Sequence, residues 1–182
     1  PNPINIFISA VDIPAVSDVD YDGDLDILTF KITGGFIEFH KNMAMEQTGN
    51  CDTVIFQLEE SCWGNFYETM GGTYTLNCQN CQCPSIINHP NAKQKHAGST
   101  LLLIDIDNDN DKDIILGDIG FKNLNLLING GDSTNANMIY VDSLFPQNNL
   151  NTVPVSMDFF PAANYIDIKN DGIKDLIVTV NS

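Results

Sequence analysis

Apolar and polar residues alternate in short runs along most of the chain, and this period of two is typical of β-strands with one buried face. Ile4–Ala10 is the first such run, and we expect it to form a strand that completes a preceding unit. The next unit is predicted to contain a strand, a loop, a second strand, a glycine turn and a third strand. Its segments are Ala15–Val19, Leu25–Ile32, Gly34–Gly35 and Phe36–Lys41, with Leu28, Phe30 and Ile32 on one face.

The same order of segments returns twice along the chain. The second unit has the runs Leu101–Ile104, Ile114–Leu116 and Leu124–Ile128, followed by the turn Asn129–Gly131. The third has the runs Pro161–Ile166 and Leu176–Val180. Short strands separated by glycine turns predict an all-β fold.

Each unit carries an acidic loop of nine residues between its first two strands. The loops are Asp18–Asp26 (DVDYDGDLD), Asp105–Asp113 (DIDNDNDKD) and Asp167–Asp175 (DIKNDGIKD). Carboxylates at alternate positions can wrap Ca²⁺, and a Gly or Asn at position 6 permits the sharp turn. The loops hold 13 of the 19 Asp residues, which would repel one another strongly without a counter-ion. This clustering favours calcium loops over ordinary acidic turns.

The expected ligands follow from the positions within each loop. The first loop would use the side chains of Asp18, Asp20, Asp22 and Asp26, with the carbonyl of Asp24. The second would use the side chains of Asp105, Asp107, Asp109 and Asp113, with the carbonyl of Asp111. The third retains Asp167, Asp171 and Asp175, with Ile173 at position 7, but has Lys169 in place of the second carboxylate. We therefore expect two Ca²⁺ ions and leave the third loop open between a weak site and an empty turn.

An EF-hand is the alternative calcium loop. It requires a bidentate Glu at position 12 and a flanking helix on each side. Position 12 is Thr29, Leu116 and Val178 in the three loops, and each lies in a predicted strand. The EF-hand interpretation therefore fails.

The segment Thr48–Ala97 differs in composition from the repeated units, and we interpret it as an insertion. It holds all five cysteines, namely Cys51, Cys62, Cys78, Cys81 and Cys83. Cys78, Cys81 and Cys83 could form part of a zinc knuckle completed by another Cys, His89 or His96. Disulfides with one cysteine left over are favoured, because calcium loops of this kind imply an oxidising, extracellular setting.

The insertion also carries the aromatic residues Trp63, Phe66 and Tyr67. Such residues can form an exposed platform for a sugar or a peptide. A small core within a disulfide-bonded insert is the more common role, and it is the interpretation that we favour.

The acidic loop followed by a strand and a Gly-containing hairpin resembles the FG-GAP or VCBS repeat, the blade unit of integrin-α-like β-propellers. It is similar in particular to repeats of large secreted surface proteins from Bacteroidetes-type bacteria. The likeness is carried by Pro14–Leu28 and by the segments that begin at Thr100 and Pro161. It leaves out the cysteine-bearing middle of the chain.

The resemblance implies about three propeller-type blades with calcium loops, the last of them truncated. Residues 1–47 would form a strand and the first blade, 48–97 the insertion, 98–160 the second blade and 161–182 the third. Roughly four to eight blades are needed to close a propeller. We therefore expect the chain to be a segment of a larger protein, or to be completed by its neighbours.

Charge and composition narrow the classes of partner. The net charge of −16 disfavours nucleic acid and anionic membranes as partners. All eight basic residues are Lys, so the chain has no Arg, the side chain best suited to bidentate phosphate recognition. No apolar run approaches ~18 residues, and we expect no membrane span. The sequence contains no G-x-S-x-G elbow, no H-E-x-x-H motif and no phosphate-binding loop, so we expect no enzymatic activity.

These observations predict a secreted, calcium-binding repeat module for adhesion or for surface or matrix scaffolding. The resemblance implies surface proteins or glycans as its partners. One alternative is a carbohydrate-binding module of a secreted hydrolase. Another is a subunit of a cell-surface filament, which would self-associate by accepting a neighbour's strand at an open sheet edge.

Overall fold

The computed structural model describes residues 5–69, 72–83, 98–147 and 151–181. The strands are β1 Ala15–Ser17, β2 Asp26–Phe30, β3 Ile37–Asn42, β4 Phe56–Glu60, β5 Tyr67–Glu68, β6 Tyr74–Thr75, β7 Ser99–Ile104, β8 Asp113–Asp118, β9 Leu124–Asn129, β10 Met138–Phe145, β11 Pro161–Ile166 and β12 Asp175–Val180. Helix α1 is Ala44–Thr48, and Gln79–Cys81 forms one 3₁₀ turn. The predicted all-β class is confirmed. Across these ranges no helix is long and apolar enough to cross a bilayer.

The repeated units of the sequence correspond to antiparallel sheets. The first sheet has the order β1-β2-β3-β4, and the second has the order β10-β9-β8-β7. Strands β11 and β12 form a hairpin around the third acidic loop, which we call the third hairpin. Strands β5 and β6 form a small separate ribbon. Each four-stranded sheet is a meander in which consecutive strands pair, and none of the sheets closes on itself. The outer strand β4 lies within the range that we assigned to the insertion.

Two details of the strand prediction are wrong. Residues 5–10 form no strand, although Thr29 Oγ1 in β2 donates a hydrogen bond of 3.4 Å to the carbonyl of Phe7. Ile32 does not share the buried face of Leu28 and Phe30 but is 66% exposed. Strand β2 ends before it, because Lys31 already begins the turn by accepting the N–H of Gly34 at 2.7 Å.

The sheets pack face to face in the order of the chain. One core cluster joins Leu28, Phe30, Ile37 and Phe39 of the first sheet to residues of the second sheet, which include Ile114, Leu116, Leu127 and Met138. Another cluster joins the opposite face of the second sheet, through Ile115 and Leu126, to Ala163, Leu176 and Val178 of the third hairpin. Full burial of each such side chain stabilises the fold by roughly 1.5–3 kcal/mol. The acidic loops therefore project from stacked and well-packed sheets.

Gly117 in β8 determines how closely the third hairpin approaches the second sheet. A Cβ atom at this position would lie 1.8 Å from the main-chain oxygen of Pro161. The same oxygen accepts a hydrogen bond of 3.1 Å from Thr100 Oγ1. A side chain at position 117 would therefore force the two elements apart.

Replacing Gly117 by Ala should destabilise the protein by roughly 1–3 kcal/mol, because the added methyl group meets main-chain atoms that cannot rotate away. Urea unfolding of the variant and the wild type measures this loss. Gly120→Ala is the matched control, since its Cβ would meet only a side-chain oxygen of Asp118 at 3.0 Å. Equal stability of G117A, G120A and the wild type would contradict the observed packing.

His40 is the one buried histidine among the described residues. Its side chain lies in β3, where it is 4% exposed, and neither ring nitrogen has a hydrogen-bond partner. Nε2 lies 3.5 Å from Glu38 Oε2. Burial lowers the pKa of His40 and outweighs the opposite effect of the Glu38 carboxylate. The imidazole is therefore held neutral in the fold.

This lowered pKa predicts a pH dependence of stability. The unfolded state takes up the His40 proton more readily, so the contribution of His40 to stability is lost as the pH falls through about 6.5. Leu127 occupies the equivalent position of β9, which makes His40→Leu a suitable variant. When the pH falls from 7.5 to 5.5, the wild type should therefore lose stability relative to H40L, which has no imidazole to protonate. Urea unfolding at the two pH values measures this change. A constant difference would contradict the assignment.

Candidate metal centre

The three acidic loops share one backbone conformation. Position 4 of each has a positive φ, with values of 64° at Tyr21, 64° at Asn108 and 54° at Asn170. Position 6 does as well, at Gly23, Asn110 and Gly172. Gly and Asn adopt this region at low cost, and this explains their presence at position 6. The turn at position 4 was not predicted from the sequence.

The Asp at position 1 closes each loop by accepting main-chain N–H groups. Asp18 accepts the N–H of Gly23 at 3.2 Å. Asp105 accepts the N–H groups of Asp109 and Asn110 at 3.1 and 3.2 Å. Asp167 accepts those of Asp171 and Gly172 at 3.1 and 2.7 Å. These bonds connect the start of each loop to its middle and fix the turn between them.

The Asp at position 9 connects each of the first two loops to the third strand of its sheet. Asp26 is fully buried and accepts the N–H groups of Val19 and Asn42 at 2.9 and 2.8 Å. Asp113 does the same with Ile106 and Asn129, at the same two distances. Burial raises the pKa of Asp26 to about 7 and that of Asp113 to about 6, although these N–H groups act in the opposite direction.

The strand-end asparagines that donate to these carboxylates continue the connection with their own side chains. Asn42 Oδ1 accepts the N–H of Ile55, just before β4, at 2.9 Å. Asn129 Oδ1 accepts the N–H of Asn137, just before β10, at 2.7 Å. Sequence reasoning missed this pair of residues. An Asn at the same offset after both loops was the signal that could have found them.

Carboxylates converge in the first two loops. Within the described ranges, three sets of acidic side chains place ligand atoms within 4.8 Å of one another, namely Asp18–Asp20–Asp22, Asp22–Asp24–Glu46 and Asp105–Asp107–Asp113. Three of the predicted ligands of these loops, Asp26, Asp109 and Asp111, lie outside these sets. Glu46 comes from helix α1 and was not predicted as part of the site.

The Asp at position 7 turns its side chain inward in both loops, whereas the sequence had suggested a role for its carbonyl alone. Asp24 is 2% exposed; its Oδ2 accepts the N–H of Met45 at 3.1 Å, while its Oδ1 has no hydrogen-bond partner. Asp111 is also 2% exposed, and neither of its carboxylate oxygens has a partner. Burial raises the pKa of Asp111 to about 7, and neighbouring carboxylates add to the effect. The loops therefore contain buried oxygens that no protein group satisfies.

Lysines contact two of the loops. In the first, Lys41 Nζ forms ion pairs with Asp20 and Glu46 and lies 3.7 Å from Asp22 Oδ2. In the third, Lys169 Nζ lies 3.3 Å from Asp175 and 3.7 Å from Asp171. The other two residues predicted for this loop, Asp167 and Ile173, belong to none of the convergent sets. An ammonium thus stands beside the carboxylates that were predicted to hold a third ion.

The cysteines of the central segment form disulfides. Cys62 pairs with Cys81 and Cys78 with Cys83, while Cys51 is unpaired and exposed. The disulfide prediction is confirmed, and the zinc knuckle is wrong because its three cysteines carry no free thiol. His89 and His96, named as further zinc ligands, lie outside the described residues.

The aromatic residues of the segment lie inside the fold. Trp63 is 3% exposed, and Phe66 and Tyr67 are also buried. Trp63 and Phe66 belong to the core between the first two sheets. The prediction of a core role is confirmed, and these three side chains form no exposed platform.

The position-9 carboxylate should be needed for folding even without metal. Asp113→Ala leaves the buried N–H of Asn129 and the partly buried N–H of Ile106 without their acceptor. The loss should cost about 1–3 kcal/mol for the buried group and less for the other. Asp107→Ala is the matched control, because Asp107 is exposed in the same loop. In excess EDTA, urea unfolding should show a large loss for D113A and little change for D107A. Equal losses would contradict the distinction between the two carboxylates.

Comparison with known proteins assigns the chain to no group. No family model, no curated protein and no solved structure matches it.

Proposed function

We propose that the chain is a non-enzymatic, calcium-binding repeat module of an extracellular protein, serving adhesion or the scaffolding of a surface or matrix. The observation that carries the proposal is the repeated loop geometry of the first two sheets. In both loops carboxylates converge, and in both the position-7 Asp is buried with at least one oxygen that lacks a partner.

The chemistry of the donor set supports calcium over other metals. All the converging groups are carboxylates, and hard oxygen donors suit Ca²⁺, Mg²⁺ and Mn²⁺ rather than Zn²⁺ or Cu²⁺. Mg²⁺ prefers a rigid octahedron that retains several waters, whereas Ca²⁺ accepts a flexible cage with more protein oxygens. Asp18, Asp20 and Asp22 would hold one ion, and Asp105, Asp107 and Asp113 the other. Bound calcium would screen the repulsion within each loop and fix the connection between the first two strands.

The arrangement of the sheets supports propeller-type blades. Four-stranded antiparallel meanders stacked in chain order are the building units of propellers. The second sheet buries the cross-strand row Leu103, Ile114 and Leu127 against the first sheet. The corresponding row of the first sheet includes Val16, which is 58% exposed, and Ile27 and His40. A row of this kind, apolar except for the neutral His40, suits packing against a further sheet.

The disulfides support the extracellular setting, because such bonds persist mainly in oxidising compartments. Surface proteins or glycans are the proposed partners, contacted through the loops and the cysteine-bearing segment. The high negative charge does not suit a nucleic acid. The carbohydrate-binding alternative loses its main support, since Trp63 is buried.

One observation favours the filament subunit as a second candidate. In the part of the chain that the structure describes, β10 is the outer strand of the second sheet and pairs only with β9, so its other edge has no strand partner. An open edge can accept a strand from another molecule. Sedimentation velocity at increasing protein concentration distinguishes the candidates, since a filament subunit forms growing assemblies whereas an adhesion module stays at one size.

The calcium proposal predicts two bound ions. Titration calorimetry should give a stoichiometry of two, and each filled site should add about 2.7 kcal/mol of stability at a hundredfold excess over its Kd. The melting temperature should therefore be clearly higher in calcium than in EDTA. Lys169→Asp replaces the competing ammonium by a ligand and should add a third ion. An unchanged melting temperature, with no heat of binding, would remove the support for the proposal.

A further inference from the structure

Lys41 lies among the carboxylates of the first loop although it belongs to another element. It comes from strand β3, and its ammonium forms ion pairs with Asp20 and Glu46 and approaches Asp22. Its side chain is only 18% exposed, so solvent screens these contacts less than it would on an open surface. Asp20 and Asp22 are two of the three acids that converge in this loop.

The second loop has no counterpart of the Lys41 contact. Ile128 directly precedes Asn129, as Lys41 directly precedes Asn42, and the two asparagines play the same role in the two sheets. Ile128 packs on the apolar cluster between the second sheet and the third hairpin. Among the described residues, no lysine forms an ion pair with the second loop, and Lys112 instead lies over the ring of Tyr21 at 3.9 Å.

We infer that Lys41 is a tethered competitor for the cation of the first loop, so that this loop binds calcium more weakly than the second and fills after it. The inference rests on the proposed calcium function. An ammonium and a divalent ion cannot both lie against Asp20 and Asp22, because like charges at such distances repel strongly. Calcium must therefore displace Lys41, whereas no such step precedes binding at the second loop.

Glu46 completes this arrangement from outside the loop. It lies in α1, shortly after β3, where it pairs with the Lys41 ammonium and places a carboxylate oxygen within 4.8 Å of ligand atoms of Asp22 and Asp24. At low calcium, Lys41 would neutralise part of the acidic cluster and hold the loop to both β3 and α1. At high calcium, the ion would take over that role.

The first test isolates the first loop by disabling the second with Asp107→Ala and Asp109→Ala. In this background, Lys41→Met removes the charge but keeps a long apolar stem. Calorimetry should show calcium affinity at the first loop raised on the order of tenfold. Lys122→Met is the matched control, because Lys122 pairs with exposed Asp158, outside the loops, and its loss should leave the affinity unchanged.

Stability provides a second readout of the same variant. In EDTA, K41M should melt below its background, since the carboxylates lose their counter-ion. The rise in melting temperature on adding calcium should be larger for K41M than for the background. A variant that is merely misfolded would instead melt lower in both conditions and gain no more from calcium.

The wild-type protein allows a test without substitution. Lysines are acetylated with limiting reagent, and peptide mass spectrometry measures the rate at each site. Lys41 should be protected in EDTA and become reactive when calcium is added, whereas Lys122 should react equally in both conditions. Protection of Lys41 that persists when calorimetry shows both loops filled would overturn the inference.

The outcomes separate the two proposals. If the first loop binds calcium and K41M does not raise its affinity, the inference fails while the calcium function stands. If neither the wild type nor K41M binds calcium, the proposed function fails and the inference fails with it.

Discussion

The fold depends on a buried carboxylate at the end of each of the first two acidic loops. Asp26 and Asp113 each accept one N–H from their own loop and one from the end of the third strand. Each carboxylate thereby joins the first strand–loop–strand unit to the next strand. Burial raises the pKa of both groups, because it removes the charged form from water. The strand-end asparagines then extend the same network to the fourth strand.

This network is the same in the two sheets, whereas the contacts around the loops differ. The first loop contacts Lys41, the third contacts Lys169, and Ile128 stands at the position of Lys41 in the second sheet. The backbone conformation is shared by all three loops, since positive φ values recur at positions 4 and 6. A common scaffold therefore presents three different balances of negative and positive charge.

The sequence predicted the loops and most central strands because their signals are local. Asp spacing defines a loop within nine residues, and alternation marks strands such as β2 and β9 that have buried faces. The outer strands β4 and β10 were missed, since at least half of the residues in each are exposed and show no clear period of two. Alternation in Ile4–Ala10 could not show that residues 5–10 would lack a strand partner. Lys41 and Glu46 reach the first loop from other elements, and only the tertiary structure brings them there.

We propose that the first two loops are both cation sites, built on one scaffold. Anomalous X-ray diffraction from crystals grown with a lanthanide, which takes the same oxygen donors as calcium, tests it most directly. The account predicts two strong peaks, one among Asp18, Asp20 and Asp22 and one among Asp105, Asp107 and Asp113. Peaks elsewhere, or none at either loop in crystals that contain the lanthanide, would contradict it.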